Sequence, residues 1–167
     1  LCQRIIEMIT QSGAGIKIEI TETAVLDSPD SAMRSVQAFR DAGIRIAIDD
    51  YGAGQSSLAY LKQLPAQELK LDRSMILDVK ESQRDRMILK STFDLAHALN
   101  MRVVCEGVED AATFAALTAL GCDAIQGYFV SRPLAVEALI DLLAGQAWQT
   151  ASTNGGKTSP HADQVEL

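Results

Sequence analysis

The sequence predicts an α/β fold built on a parallel sheet, and three observations carry that prediction. Short β-branched runs alternate with longer amphipathic stretches along the chain, a pattern that implies parallel strands joined by crossover helices. The run Ile46-Ala47-Ile48 is apolar throughout, as expected of a strand buried on both faces. Each run then ends in a charged or amide side chain that packing alone does not call for. Periodicity leaves open whether the sheet is doubly wound or closed into a barrel.

Taken in order, Ile5, Ile6 and Ile9 recur at helical spacing until Gly13 and Gly15 stop the pattern. Lys17–Ile20 follows as a strand. Asp27-Ser28-Pro29 reads as a helix start with proline in the first turn, and Met33, Val36 and Phe39 form its apolar stripe up to Gly43. A second strand covers Ile44–Asp50. A Gly-Ser loop and a short helix through Leu58 and Leu61 lead to Pro65. Glu68–Asp72 is a third strand. The next helix places Ile88, Leu95, Ala96 and Leu99 on one face and ends at Asn100. Arg102–Cys105 is a fourth strand, helix Ala111–Leu120 closes at Gly121, and a fifth strand lies near Ala124–Gln126. A last helix after Pro133 is expected to turn Val136, Leu139, Leu142 and Leu143 inward. The chain therefore divides into a domain over residues 1–148 and a polar tail, 149–167, of disordered composition.

Composition narrows the function. The 167 residues suffice for one domain with a real core, and 47% hydrophobic with 22% charged residues is ordinary for a globular protein. A net charge of −7 without a basic block argues against duplex nucleic acid, though a small anion remains compatible if metal supplies positive charge. No apolar run reaches the roughly 20 residues of a membrane span. Cys2, Cys105 and Cys122 lack CxxC spacing and suggest neither a disulfide framework nor a zinc site. A reducing, cytoplasmic setting fits them. The chain opens on Leu1, inside an apolar periodic segment, which suggests a piece of a longer protein.

At the strand ends stand Glu19 (with Glu22 one turn on), Asp49 with Asp50, Lys70, Glu106 (with Glu109) and Gln126. Singly, each has an ordinary explanation. Glu22 and Glu109 suit helix first turns, Lys70 could pair on the surface with Glu68 or Asp72, and Asp49-Asp50 could cap a turn. His97 and His161 read as incidental. In a parallel barrel, however, all the strand-end residues converge on one rim, where active sites of such folds lie. Alternation would point Asp49 and Asp50 to opposite faces unless the strand ends there. Oxygen-only ligands suit Mg²⁺ or Mn²⁺, and adjacent acids suit a two-metal site for in-line attack on phosphorus. Lys70 would then orient the attacking water and neutralise charge. A Schiff base on Lys70 is a distant alternative, because acids rather than apolar groups surround the amine.

These strings identify a resemblance. Glu19-Ile-Thr-Glu22, Asp49-Asp50-Tyr-Gly-Ala-Gly-Gln-Ser-Ser57, Glu68-Leu-Lys70-Leu-Asp72, Glu106-Gly-Val-Glu109, Gly121-Cys-Asp123 and Gln126-Gly-Tyr…Arg132-Pro133 occur in that order. Together they resemble the EAL-domain cyclic-di-GMP phosphodiesterases of bacteria over about residues 16–140. The resemblance implies a TIM-like (β/α) barrel with one antiparallel strand, of which this chain holds only the last five βα units. It implies hydrolysis of cyclic-di-GMP to the linear dinucleotide pGpG in second-messenger signalling. Carried over by motif, Glu19 and Asp49 would bind one metal, and Asp49, Asp50 and Glu106 a second. Lys70 would contact the nucleophilic water, with Gln126 near it. Glu22 would brace the loop after Asp49-Asp50, which couples the site to homodimerisation, and Glu109 would support the site from behind the ligands.

Two departures matter. Gln55 stands where the family usually has an aromatic residue. The family's name-giving Glu-Ala-Leu strand and an Asn ligand belong upstream of these motifs, and a complete barrel takes roughly 250 residues. The segment alone is therefore expected to be inactive and poorly stable, with an upstream sensor or diguanylate-cyclase-like domain expected in the parent chain. A binding module that has lost hydrolysis is the alternative.

Overall fold

In the computed structural model the described residues are 1–53 and 61–144. Gln55, the rest of the Gly-Ser loop, Leu58 and the tail from residue 149 lie outside them. The elements run α1 (Cys2–Ser12), β1 (Lys17–Thr21), α2 (Glu22–Asp27), α3 (Pro29–Asp41), β2 (Arg45–Tyr51), β3 (Glu68–Leu71), α4 (Arg73–Ile76), α5 (Gln83–Ala98), β4 (Arg102–Cys105), α6 (Ala111–Leu120), β5 (Ala124–Ile125) and α7 (Val136–Ala144).

The five strands pair in sequence order, β1-β2-β3-β4-β5, and every pairing is parallel. A doubly wound sheet reverses its strand order at a switch point. Here the order never reverses, so each connection advances the sheet by one strand, and the described crossover helices α3, α5 and α6 pack on one side of it. This is the winding of a TIM-like barrel, present as five consecutive βα units.

Register divides the sheet into two chemically distinct faces, because side chains alternate along a strand. Ile18 lies opposite Ile46, Ile48 opposite Leu69 and Val103, and Leu71 opposite Cys105 and Ile125. These residues join Val36, Phe39, Leu89, Phe93 and Leu117 of the helices in one core cluster. On the other face Glu19, Ala47, Glu68 and Arg102 form one row across four strands. Lys70, Val104 and Ala124 form the next. The polar site is built on this second face, away from the helices.

Local chemistry sets the element boundaries. Pro29 opens α3 without forfeiting a hydrogen bond, since the first-turn N–H has no helical acceptor. Side chains of Ser82 and Asp110 accept backbone N–H groups at the starts of α5 and α6. The short helices α2 and α4 do not show in the apolar periodicity, since one or two turns carry too few residues for a period, although Glu22 suits a helix first turn and does open α2.

Two expected faces are corrected in part. Of the expected α5 face, Ala96 is buried and Leu95 and Leu99 pack against the core. Ile88, however, is 47% exposed, and the fully buried residues are Leu89, Phe93 and Ala96. Leu89, Phe93 and Ala96 fall at i, i+4 and i+7, and the stripe through Ile88 lies one position off that line. On α7, Leu139 and Leu142 are half-buried, but Val136 and Leu143 are exposed. The Tyr128–Leu134 segment meets the stripe at Leu139, and among the described residues Val136 and Leu143 are left uncovered.

Candidate metal centre

Strand β2 carries the paired acids, and it does not end at Asp50 as expected. It continues to Tyr51, and its register against β3 shifts between Ile48 and Tyr51. Asp50 adopts a left-handed backbone with φ 56°. A bulge of this kind breaks strict alternation and re-aims a side chain, and aspartate tolerates left-handed geometry better than most residues. Asp49 and Asp50 thereby come to one mouth. Each offers a carboxylate oxygen that, with one from Glu106 beyond the end of β4, lies within 4.8 Å of the others.

Lys70 is the buried centre of the rim. Its Nζ lies 2.7 Å from Glu19 Oε2, 2.8 Å from Glu106 Oε1 and 3.0 Å from Asp49 Oδ1. The surface pairings considered for it are not made. Glu68 pairs with Lys17, and Asp72 accepts the Ser74 N–H at the start of α4. Burial works against the Lys70 charge, yet its close contacts with Glu106, Glu19 and Asp49 outweigh it and hold the ammonium well above its ordinary range. Glu106 is raised by burial, with Lys70 opposing the shift and Asp49 and Glu19 adding to it.

The remaining candidates surround this cluster. Glu22, in the first turn of α2, is buried, and its Oε2 accepts the Gly52 N–H at 3.0 Å. It thus ties the turn after Asp49-Asp50 to β1. Glu109 forms a two-point ion pair with Arg73, one arm at 2.8 Å. The Arg73 side chain passes so close to Gly107 that a Cβ there would meet it at 2.8 Å. The segment following Glu106 is pinned in this way. Gln126 is half-buried and lines a separate cleft of about 380 Å³ with Gly127, Tyr128, Arg132 and Leu139. The structure brings Glu19, Asp49, Asp50, Lys70 and Glu106 together, sets Glu22 and Glu109 behind them, and shows no contact from Gln126 to Lys70.

The donor set fits a divalent cation. Four carboxylates, Glu19, Asp49, Asp50 and Glu106, gather around Lys70, with the Lys17 ammonium 3.9 Å from Glu19, so acids outnumber cations at the rim among the described residues. Asp49 Oδ1 is buried, and among the described residues its one polar contact is the 3.0 Å ion pair with Lys70. A buried carboxylate oxygen with a single partner can still accept an ion or water. Hard oxygen donors of this kind suit Mg²⁺ or Mn²⁺.

Sequence reasoning missed Lys17 and Arg73. Lys17 had a readable signal, since it stands two residues before Glu19 and shares its face. Arg73 had none, because its partner Glu109 is far away in sequence. His97 is not idle either: its Nε2 lies 2.7 Å from Asp123 Oδ2, which also accepts the Val103 N–H.

Comparison with known proteins places this rim in context. Residues 1–133 match the sequence model described as the EAL domain. The chain is 40% identical over 136 residues to "Cyclic di-GMP phosphodiesterase NbdA" of Pseudomonas aeruginosa, covering 81% of this chain and 17% of that protein. Among solved structures it resembles "PaMucR Phosphodiesterase, c-di-GMP complex" at 40% identity and TM-score 0.67, over 72% of this chain and 49% of that one. It also resembles the Klebsiella pneumoniae BlrP1 manganese/cy-diGMP complex at 31% identity and TM-score 0.72, over 78% of this chain and 34% of that one. The chain thus spans under a fifth of NbdA and about half of the MucR structure. The family-model match over residues 1–133, with 40% identity to NbdA over 81% of the sequence, makes this chain a member of the EAL domain family.

Proposed function

We propose that this chain carries the acidic half of the catalytic rim of a cyclic-di-GMP phosphodiesterase, which hydrolyses one phosphodiester to give pGpG. The observation that carries the reading is the meeting of Asp49, Asp50 and Glu106 within 4.8 Å beside the buried Lys70. The names of NbdA and the MucR complex support the substrate, and the manganese complex of BlrP1 supports a divalent metal.

Asp49, Asp50 and Glu106 would hold one Mg²⁺ or Mn²⁺, and Glu19 with Asp49 a second. Bound there, such cations neutralise phosphate charge and make water a stronger nucleophile. Lys70 is a fixed donor of positive charge. Held as an ammonium by Glu19, Asp49 and Glu106, it would orient water and stabilise charge building on the phosphoryl oxygens. The same protonation argues against a Schiff base, which needs a neutral amine. Glu22 holds the turn that presents Asp49 and Asp50. Glu109, through Arg73, holds the segment that presents Glu106. Gln126, in the separate Tyr128–Arg132 cleft, would act on the substrate from there without contacting Lys70.

A cytoplasmic homodimer attached to a sensor or cyclase domain is the setting we infer. MucR is named a bifunctional diguanylate cyclase and phosphodiesterase. No helix among the described residues is long and apolar enough to cross a membrane. Exposed Met87 and Ile88 on α5 line a groove of about 820 Å³ that reaches Tyr51, the residue after Asp50 in sequence. That apolar surface, on the helix side of the sheet, supports self-association.

The decisive experiment is hydrolysis of cyclic-di-GMP by the intact protein with Mg²⁺ or Mn²⁺, beside its Glu106→Gln variant. Turnover lost on substitution supports the enzyme. Tight binding without turnover in the unsubstituted protein overturns it and leaves a receptor.

A further inference from the structure

The row Glu19–Ala47–Glu68 crosses β1, β2 and β3 on the polar face of the sheet. Ala47, the small member, leaves an opening between two carboxylates on its neighbours. Lys17 fills that opening. It lies on the same face as Glu19, two residues earlier in β1. Its ammonium bonds Glu68 Oε1 and stands 3.9 Å from Glu19 Oε1. Lys70 bonds the other oxygen of the same carboxylate, Glu19 Oε2. Glu19 is therefore held between two ammonium groups, one on each oxygen, and Lys17 is itself fixed by the buried Glu68.

We propose that Lys17, anchored by Glu68, is a positioning residue that aims the Glu19 carboxylate into the metal centre. The inference rests on the proposed role of Glu19 as a metal ligand. Lys17 keeps Glu68 and Glu19 from repelling each other and limits rotation of Glu19 about its last bond. Without it, the carboxylate is steered by Lys70 alone, which pulls it toward the centre of the rim. Groups that orient a metal ligand in this way typically alter affinity by about 10–100-fold when removed.

The test is Mn²⁺ binding by the intact protein, followed by the electron paramagnetic resonance signal of free Mn²⁺, with hydrolysis measured at low and saturating Mn²⁺. Lys17→Met is expected to weaken Mn²⁺ binding by about 10-fold. It should lower hydrolysis at low Mn²⁺ and leave kcat near that of the unsubstituted protein at saturation. Lys17→Arg, which keeps the charge, should recover most of the affinity. Lys17→Met/Glu68→Met removes both members of the pair, and it should stay as weak as Lys17→Met. Return of that double variant to full affinity would mean that the change at Glu68, not loss of aim at Glu19, caused the defect, and would overturn the proposal. So would unchanged affinity in Lys17→Met while Glu19→Gln binds weakly. Unchanged affinity in Glu19→Gln removes the ligand role of Glu19 and the inference together.

Discussion

Lys70 shows how one residue can serve both stability and chemistry. Breaking a buried ion pair by removing one partner typically costs about 3–5 kcal/mol. The loss for Lys70→Met should fall below that range, because the Glu19 side chain is 39% exposed and water screens part of the repulsion left behind. Urea unfolding should therefore show a loss of about 1–3 kcal/mol in EDTA, shrinking when Mn²⁺ is added, with hydrolysis absent in both. An undiminished loss in Mn²⁺ would separate the lysine from the metal centre. Gly127 is a second sensitive residue, for steric reasons. Its φ is 155°, and a Cβ there would lie 2.3 Å from the Val108 carbonyl oxygen and 2.4 Å from its nitrogen. Because backbone cannot swing aside as a side chain can, Gly127→Ala should destabilise by more than the roughly 1–3 kcal/mol of backbone strain alone. Thermal melting of the variant checks this.

At the scale of elements, α5 offers a paired test of which face is inward. Phe93 is fully buried and Ile88 is half-exposed. Phe93→Ala should cost about 3–5 kcal/mol. Ile88→Ala should stay within about 0.5 kcal/mol, as surface changes usually do. Equal losses in urea denaturation would show that the two faces had been exchanged. The start of α6 supplies a pH-dependent case. Asp110 accepts N–H groups of Ala112 and Thr113, the Thr113 hydroxyl and the Lys80 ammonium. The backbone bond from Thr113, then Lys80, hold its carboxyl well below the usual range. A group whose pKa is depressed by folding adds stability above its unfolded value and loses it as pH falls toward the folded one. The melting-temperature gap between the unsubstituted protein and Asp110→Ala should therefore be full at pH 7. It should close progressively as pH drops below the ordinary aspartate value of 3.8. A gap that stays constant to low pH would exclude the charged cap.

On the scale of the whole molecule, the sheet ends at β1 and β5, and the outer face of α7 presents Val136, Ile140 and Leu143 to solvent. Unpaired strand edges and apolar helical faces promote association. Expressed by itself, the chain should self-associate in analytical ultracentrifugation more than the intact protein does. A well-behaved monomer would show that these surfaces need no cover. Much of this organisation was legible in the sequence. Helix and strand alternate because apolar periodicity is a local property, and polar strand ends stand out because a buried sheet has no packing use for them. The motif strings then carried the family and the winding. Other features depend on contacts between distant residues. Asp49 and Asp50 share a mouth through a bulge against β3, not through the end of a strand. Lys70 is buried because Glu19, Asp49 and Glu106 arrive from three other strands. Lys17 meets Glu68 only because Ala47 leaves room between them, and Arg73 reaches Glu109 across Gly107. The sequence by itself determined which side chains stand at the ends of parallel strands, since that follows from local periodicity and motif order. Only the tertiary structure decided which of them touch, since register, a bulge and the volume of one intervening side chain are set by pairing between strands.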